Sequence, residues 1–276
     1  MSSNQNPEQT SAAFAGKRVV VTGACGVFGQ RIARAFASQG ARVCLSDNRQ
    51  ESLQSFVDEL PGDGHLTHLT ELTDAGSIEQ LVDTVEAGFG AADIVINNAG
   101  VYPSGLLLDL AVEEWDRIFD VNLRAPFLVA QGFAKLMVAR DVKGSIVNIG
   151  SGAARNMRAT TVHYCTSKTA LDRLTKGMSI ELASLGIRVN CVEPGFAAGS
   201  VVSPLSDEHV KRVTSHIPLG RPSGAMDAPA AILYLCSGEA SFITGATLSV
   251  DGGNSIGAAA DYPADIKTRV DRWTKS

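Results

Sequence analysis

The chain has 276 residues, 45% of them hydrophobic and 19% charged, which suits one large domain with a substantial core and is too apolar for disorder. A net charge of −5 argues against a general nucleic-acid binder, which carries a basic surface. The odd set of five scattered cysteines (Cys25, Cys44, Cys165, Cys191, Cys236) has no C-x-x-C pair, so a reducing compartment is expected rather than a disulfide framework.

Residues 1–15 are polar and read as a mobile tail, with neither the basic start nor the apolar stretch of a secretory signal. No apolar run reaches the roughly 18 to 20 residues a membrane helix needs, so a soluble, cytoplasmic protein with no membrane partner is expected. From Lys17 a strand (RVVVT) is followed by an amphipathic helix (QRIARAFASQG) that stops at Gly40. A second strand, ARVCLS, ends at Asp47, and NRQESLQSFVDEL reads as a helix closed by Pro61 and Gly62. HLTHLTEL holds the third strand, and Asp74 is placed to cap the helix SIEQLVDTVEAGF. The fourth strand is ADIVIN, before a long helical region over 111–139. The strand GSIVNIG, a helix over about 162–185 and the strand IRVNCVE follow. A looser segment, 196–225, precedes the helix DAPAAILYLCS and a last strand, ATLSVDG. Residues 254–276 read as a polar tail, ending in a short helix around IKTRVDRW.

Strands alternating with helices imply crossover connections and a parallel sheet. The expected fold is α/β: a single-domain Rossmann-type doubly wound parallel sheet with helices on both faces, spanning 16–253. The turn after the first strand, TGACGVFG (22–29), would face the crevice where such sheets bind ligands. Gly23 permits a tight turn. Gly26 and Gly29, with Phe28 between them, let backbone approach a pyrophosphate at the positive end of a helix. Asp47, about 18 residues beyond Gly29, is placed to accept hydrogen bonds from adenosine ribose hydroxyls. Its carboxylate would repel a 2′-phosphate, which favours NAD over NADP, although Arg49 two residues on is able to tolerate a phosphate.

Tyr164 and Lys168 lie four apart in HYCTSKTALDRL, on one face of a helix and about 6 Å apart along its axis. A free phenol, with a pKa of about 10, is a poor base at pH 7. An ammonium about 4 Å away, at an effective dielectric near 20, favours phenolate by roughly 4 kcal/mol before desolvation opposes it. Such a pair can bring a phenol toward the operating pH, as acid–base chemistry wants, but the same spacing taken alone occurs by chance in many proteins and then reads as structural.

From Lys17 to about Gly253 these motifs, in this order, resemble the single-domain branch of the short-chain dehydrogenase/reductase family. TGACGVFG resembles its nucleotide loop, NNAG (97–100) its fourth-strand motif and VNL (121–123) its active-site asparagine segment. SIVNIGS (145–151) is similar to its serine strand, YCTSK (164–168) to its catalytic pair and NCVEPG (190–195) to its sixth-strand turn. IPLGRPSG (217–224) and FITGATLSVDGG (242–253) resemble its C-terminal signatures.

The resemblance implies an NAD(H)-dependent oxidoreductase that interconverts a secondary alcohol and a ketone. Tyr164 would be the acid/base, and Ser151 would orient the reacting oxygen. Lys168 would bind the nicotinamide ribose and lower the tyrosine pKa, and Asn122 would hold a water in a proton relay. Asn98 would touch the adenosine ribose, Glu71 and Leu72 the adenine, and Pro194, Gly195 and Ala197 the nicotinamide. Members are usually dimers or tetramers paired through the helices bearing Asn122 and Tyr164, so a homotetramer is expected. Three departures stand out: the glycine spacing T-G-x-x-G-x-x-G resembles a longer, epimerase-type branch, Glu71 replaces the usual Asp, and Gly199 or Ser200 occupies the usual threonine region.

His65 and His68 fall on opposite faces of a strand with no cysteine or carboxylate set nearby, so no metal is expected. His163 would leave the helix on a different side from Tyr164, as a pocket or surface residue. Arg155 and Arg158 lie between Ser151 and Tyr164, where the family often lines its substrate pocket; they are either a bidentate site for an anionic substrate or, as exposed arginines commonly are, solvated surface groups. Residues 196–216 mix apolar and charged groups as a substrate lid does. The alternatives are a 3-oxoacyl thioester reductase, which would usually favour NADPH; a nucleotide-sugar epimerase or dehydratase; and a redox-sensing binding protein that keeps the fold without catalysis.

Overall fold

In the computed structural model, described over residues 12–198 and 206–257, every strand run of the sequence becomes a strand of one parallel sheet. The strands are β1 (Arg18–Thr22), β2 (Arg42–Asp47), β3 (Leu66–Leu69), β4 (Ile94–Asn97), β5 (Ser145–Ile149), β6 (Arg188–Pro194) and β7 (Thr247–Val250). The helices are α1 (Val27–Ala37), α2 (Gln50–Asp58), α3 (Ala75–Phe89), α4 (Val112–Phe119), α5 (Ala125–Ala139), α6 (Val162–Ala183), α7 (Asp207–Thr214) and α8 (Asp227–Cys236). The order across the sheet is β3-β2-β1-β4-β5-β6-β7, with all pairs parallel. The order reverses between β1 and β4, so the crevice at their carboxyl ends is where this architecture binds ligands.

A parallel strand buried on both faces needs apolar residues at successive positions. In β1, Val19 and Val21 enter one core with Ile32, Phe36 and Ile232, while Val20 enters a second with Leu81, Phe133 and Met137. Asp74 caps α3, its carboxylate accepting the Gly76 N–H at 3.0 Å.

Several boundaries differ from the sequence reading. Phe14, assigned to the N-terminal tail, is buried edge-on against Phe36 with ring centroids 5.0 Å apart, so the domain begins before residue 16. Set among alanines and a glycine, a single core aromatic shows no periodicity. At the other end Ser255 is buried, its N–H donating to Asp251 at 2.8 Å, so the domain also runs past Gly253. The short helix expected around 266–273 lies outside the described residues. The region 111–139 is α4 and α5 joined by a π-helical turn over Asp120–Arg124, and 196–225 contains the exposed helix α7.

Candidate active site

The nucleotide loop runs from the end of β1 into α1. Gly23 has φ +61°, a conformation that favours glycine, and a Cβ there would stand 2.7 Å from the Ala99 Cα. A Cβ on Gly29 would stand 2.2 Å from the Gly23 carbonyl oxygen. Gly26 differs: its φ is −76° and its Cβ would meet only the Gly23 oxygen, at 3.3 Å. It occupies the N-cap of α1, where the absence of a side chain leaves the first amides of the helix open to an anion. Phe28 turns its ring into the core, with the Arg31 guanidinium 5.8 Å from the ring centroid; only its backbone is available to a phosphate.

Asp47 closes β2, nearly buried, and Oδ2 accepts the Cys25 N–H from the nucleotide loop at 2.9 Å. Arg49 grips the same carboxylate through Nε (2.8 Å) and Nη2 (3.1 Å). The carboxylate thus fixes the loop and is partly neutralised, a pairing the sequence only hinted at. Asn98, expected on the ribose, spends its side-chain donors on the carbonyls of Thr22 (2.9 Å) and Gly23 (3.0 Å), leaving Oδ1 alone for a ligand. Glu71 is exposed and folds back to accept from Thr73 N (3.1 Å) and Oγ1 (2.8 Å), away from the crevice. Leu72 instead borders a small gap shared by Thr22, Asn97 and Ala99 with Ala125 and Val129 of α5.

Ser151 ends the turn after β5, and Tyr164 sits in the first turn of α6. Ser151 pulls the Tyr164 pKa down, and the Tyr102 ring stands edge-on to Tyr164 with centroids 6.4 Å apart. Lys168, one turn further along α6, is buried and donates from Nζ to the Ile149 carbonyl at 2.9 Å. From sequence, Lys168 lowers the phenol pKa, yet the structure holds Tyr164 above its ordinary value. Burial is the largest influence on both groups and favours the uncharged form of each. It raises the phenol against the opposing pull of Ser151 and Arg158, and it takes Lys168 down to about 8.

Asn122 lies in the π-helical turn, a geometry frequent at functional sites. Its side chain does not point into open space. Oδ1 accepts the Val101 N–H at 2.9 Å, while Nδ2 donates to the Val101 carbonyl (2.9 Å) and the Ser167 hydroxyl (3.1 Å). Gly100, the last residue of NNAG, was given no role of its own by the sequence. A Cβ on it would stand 3.3 Å from Asn122 Oδ1 and 3.5 Å from Lys168 Nζ, so its bare Cα keeps the lysine and the asparagine adjacent. Tyr102 was missed as well; nothing in its spacing marks it.

Pro194 ends β6, and Gly195 donates its N–H to Val250 at 2.9 Å, close against Asp251. Ala197 is half-buried in the following loop; Gly199, Ser200 and the middle of the expected lid lie outside the described residues. Arg155 is engaged within the fold. It pairs through Nη1 with buried Glu193 at 2.5 Å, leaving Arg158 as the exposed cation whose charge reaches Tyr164. His163, expected in a pocket or at the surface, is fully buried. His65 accepts the Val43 N–H at 3.0 Å and His68 bonds the Thr70 hydroxyl at 2.9 Å. Among the described residues no helix is long and apolar enough to cross a membrane.

A family model described as enoyl-(acyl carrier protein) reductase matches residues 23–255. The 3-oxoacyl-[acyl-carrier-protein] reductase FabG of Escherichia coli (strain K12) is 35% identical over 240 residues, 87% of this chain and 98% of that protein. A short-chain type dehydrogenase/reductase from Mycobacterium marinum, of known crystal structure, superposes with a TM-score of 0.80 at 33% identity, covering 88% of this chain and 96% of that one. The chain belongs to the short-chain dehydrogenase/reductase family. A further relative, nodulation protein G of Rhizobium meliloti (strain 1021), is 33% identical over 87% of this chain and 98% of its own length. A short chain dehydrogenase from Bacillus anthracis superposes with a TM-score of 0.84 at 28% identity, covering 91% of this chain and all of that one. As a short-chain dehydrogenase/reductase, the chain is an oxidoreductase acting on CH–OH or keto groups.

Proposed function

We propose that this short-chain dehydrogenase/reductase reduces the ketone of a 3-oxoacyl compound, using a nicotinamide dinucleotide as hydride source. The observation that carries this is the placement of Ser151 at the turn after β5 beside Tyr164 and Lys168, one turn apart on α6, with Lys168 bonded to the Ile149 carbonyl of β5 at 2.9 Å. A phenol that is protonated at neutral pH is set to donate to a carbonyl oxygen, and Ser151 is placed to hold that same oxygen in register. Lys168, buried behind the tyrosine, supplies positive charge at neutral pH and a route for proton return past Gly100 toward Asn122. Exposed Tyr102, Leu106, Leu107, Leu108 and Met157 offer an apolar mouth to an acyl chain, and Arg158 remains to meet an anionic portion of the substrate. The FabG relatives, named for 3-oxoacyl reduction, support this substrate class above other ketones.

The cradle of Gly23, Gly29 and the open amides of α1 fits a pyrophosphate, and Asp47 fits an unphosphorylated adenosine ribose. Bound there, NAD(H) would supply the hydride chemistry. Replacing Tyr164 by Phe removes the proton donor while keeping the ring; turnover of a 3-oxoacyl thioester with NADH is expected to fall at least ~10²-fold. Wild-type turnover in that variant rejects the mechanism.

A second reading, NAD-linked oxidation of secondary alcohols, is favoured by the Asp47 carboxylate. Asp47→Ala is expected to erode the preference for NAD over NADP, although Arg49 already blunts that carboxylate's repulsion of a 2′-phosphate. Initial rates with both dinucleotides and both substrate classes check it; an unchanged NAD/NADP ratio counts against the assignment. A homo-oligomer, most simply a tetramer, is the assembly this reading carries.

A further inference from the structure

Three turns meet behind Ser151: Gly150 to Asn156 after β5, Pro194-Gly195 after β6, and Asp251 to Ser255 after β7. Backbone bonds touch them together at single points, Gly150 N–H to Val192 O at 2.8 Å and Gly195 N–H to Val250 O at 2.9 Å. Arg155 spans all three. Its Nη1 meets Glu193 Oε2 at 2.5 Å, on the residue directly before Pro194, and its Nη2 donates to Ser249 Oγ at 2.8 Å and Ser255 Oγ at 2.7 Å. Ser249 also donates to Glu193 Oε2 at 2.9 Å, and Asn156 Nδ2 donates to the Ser255 carbonyl at 2.7 Å. Glu193 is buried, and its Oε1 has no partner among the described residues, so the polar hold on this carboxylate runs through Oε2. A cleft of about 210 Å³, open to solvent, lies beside it and is lined by Arg155, Glu193, Asp172 and Lys176.

We propose that Arg155 is a positioning residue: clasped to Glu193, Ser249 and Ser255, it sets the Ser151 turn against the Pro194-Gly195 turn. The clasp fixes where the orienting hydroxyl stands relative to the face on which the hydride arrives. This rests on the reductase reading. The planar fork of guanidinium donors, spread over two nitrogens, suits such a three-way tie better than the compact ammonium of a lysine.

The test compares wild type, Arg155→Met and a Ser249→Ala/Ser255→Ala double variant, with Tyr164→Phe as the control for the parent reading. Four measurements are made: kcat at saturating substrate, its pH profile, NADH affinity by fluorescence, and amide exchange in the protein without nucleotide. For Arg155→Met, kcat is expected to fall ~10- to 100-fold, as a misplaced orienting group predicts. NADH affinity should stay within about threefold, and the alkaline limb should move upward because Ser151 no longer holds the phenolate. Exchange should quicken over 150–156 and 251–255. The serine double variant, which leaves the ion pair intact, should lose several-fold in kcat in the same direction. A folded Arg155→Met protein with wild-type kcat and pH limb overturns the proposal. Should Arg155→Met fail to fold, the serine variant decides alone, and wild-type kcat and limb there overturn it equally. Full activity in Tyr164→Phe would instead reject the parent mechanism, while an inactive Tyr164→Phe beside an unaffected Arg155→Met would reject only the clasp.

Discussion

Lys168 shows what a single buried amine costs the fold. Its amine is out of water and keeps one bond, to the Ile149 carbonyl at 2.9 Å, and burial takes its pKa from 10.5 to about 8. Below pH 8 both folded and unfolded chains carry the proton, and the folded chain bears the full cost of a buried charge. Between about 8 and 10.5 the unfolded chain binds the proton and the folded one does not, so this residue's contribution to stability rises with pH. The size of the shift corresponds to ~3 kcal/mol of penalty at pH 7, partly offset by about 1 kcal/mol from the bond to Ile149. Lys168→Met is therefore expected to be more stable than wild type by about 2 kcal/mol at pH 7, and inactive. The gain should fade as pH climbs toward 10.5. Urea unfolding of both proteins at pH 7 and pH 9.5 measures this directly, and a Met variant less stable at pH 7 would mean the charge is not penalised by its site.

At the scale of elements, the nucleotide loop separates two glycines that look equivalent in TGACGVFG. Gly29 has no room for a methyl: its Cβ would stand 2.2 Å from the Gly23 oxygen and 2.8 Å from the Ala24 Cα, both backbone atoms. Gly26 has ordinary dihedrals and one contact at 3.3 Å. Gly29→Ala should force the turn apart and weaken NADH binding ~10²-fold or prevent folding, whereas Gly26→Ala should bind within several-fold of wild type. Fluorescence titration with NADH distinguishes them, and equal losses in both would show that the helix N-terminus, not the turn, sets affinity. This contrast also explains why the unusual glycine spacing was readable and its consequence was not. Spacing reveals which positions lack side chains; only the folded path tells which of them need to. The same division runs through the other elements. The strands and α1, α3 and α6 were legible because residues such as Val19, Val20 and Val21 are apolar on both faces of the sheet. The π-helical turn at Asn122 was not, because one wide turn barely disturbs a helical pattern. Tyr164 and Lys168 were legible as near neighbours in sequence. Arg155 with Glu193 and Asn98 with Gly23 are contacts between distant segments, and no local pattern announces them.

For the whole molecule, the sheet ends at β7, whose outer edge has no neighbouring strand among the described residues. An open edge with free amides and carbonyls invites pairing and is normally covered or charged. Around β7 the chain presents apolar groups instead: Phe242 is fully exposed, and Tyr234 on α8 and Leu248 on β7 each expose more than a third of their surface. Ile180 on α6 is exposed at 79%, and Phe127 and Val138 stand out from α5. Apolar side chains on two different sides of one domain suit an assembly with two kinds of contact, as a tetramer with dihedral symmetry has. If the β7 side forms one of them, a charge there should break one contact and spare the other. Phe242→Asp is accordingly expected to convert tetramers to dimers without unfolding the domain, since the ring has no intramolecular packing to lose. Light scattering after size exclusion gives the mass, and circular dichroism checks the fold. A Phe242→Asp protein that stays tetrameric removes this edge from the assembly, and a wild-type chain that elutes as a monomer removes the assembly itself.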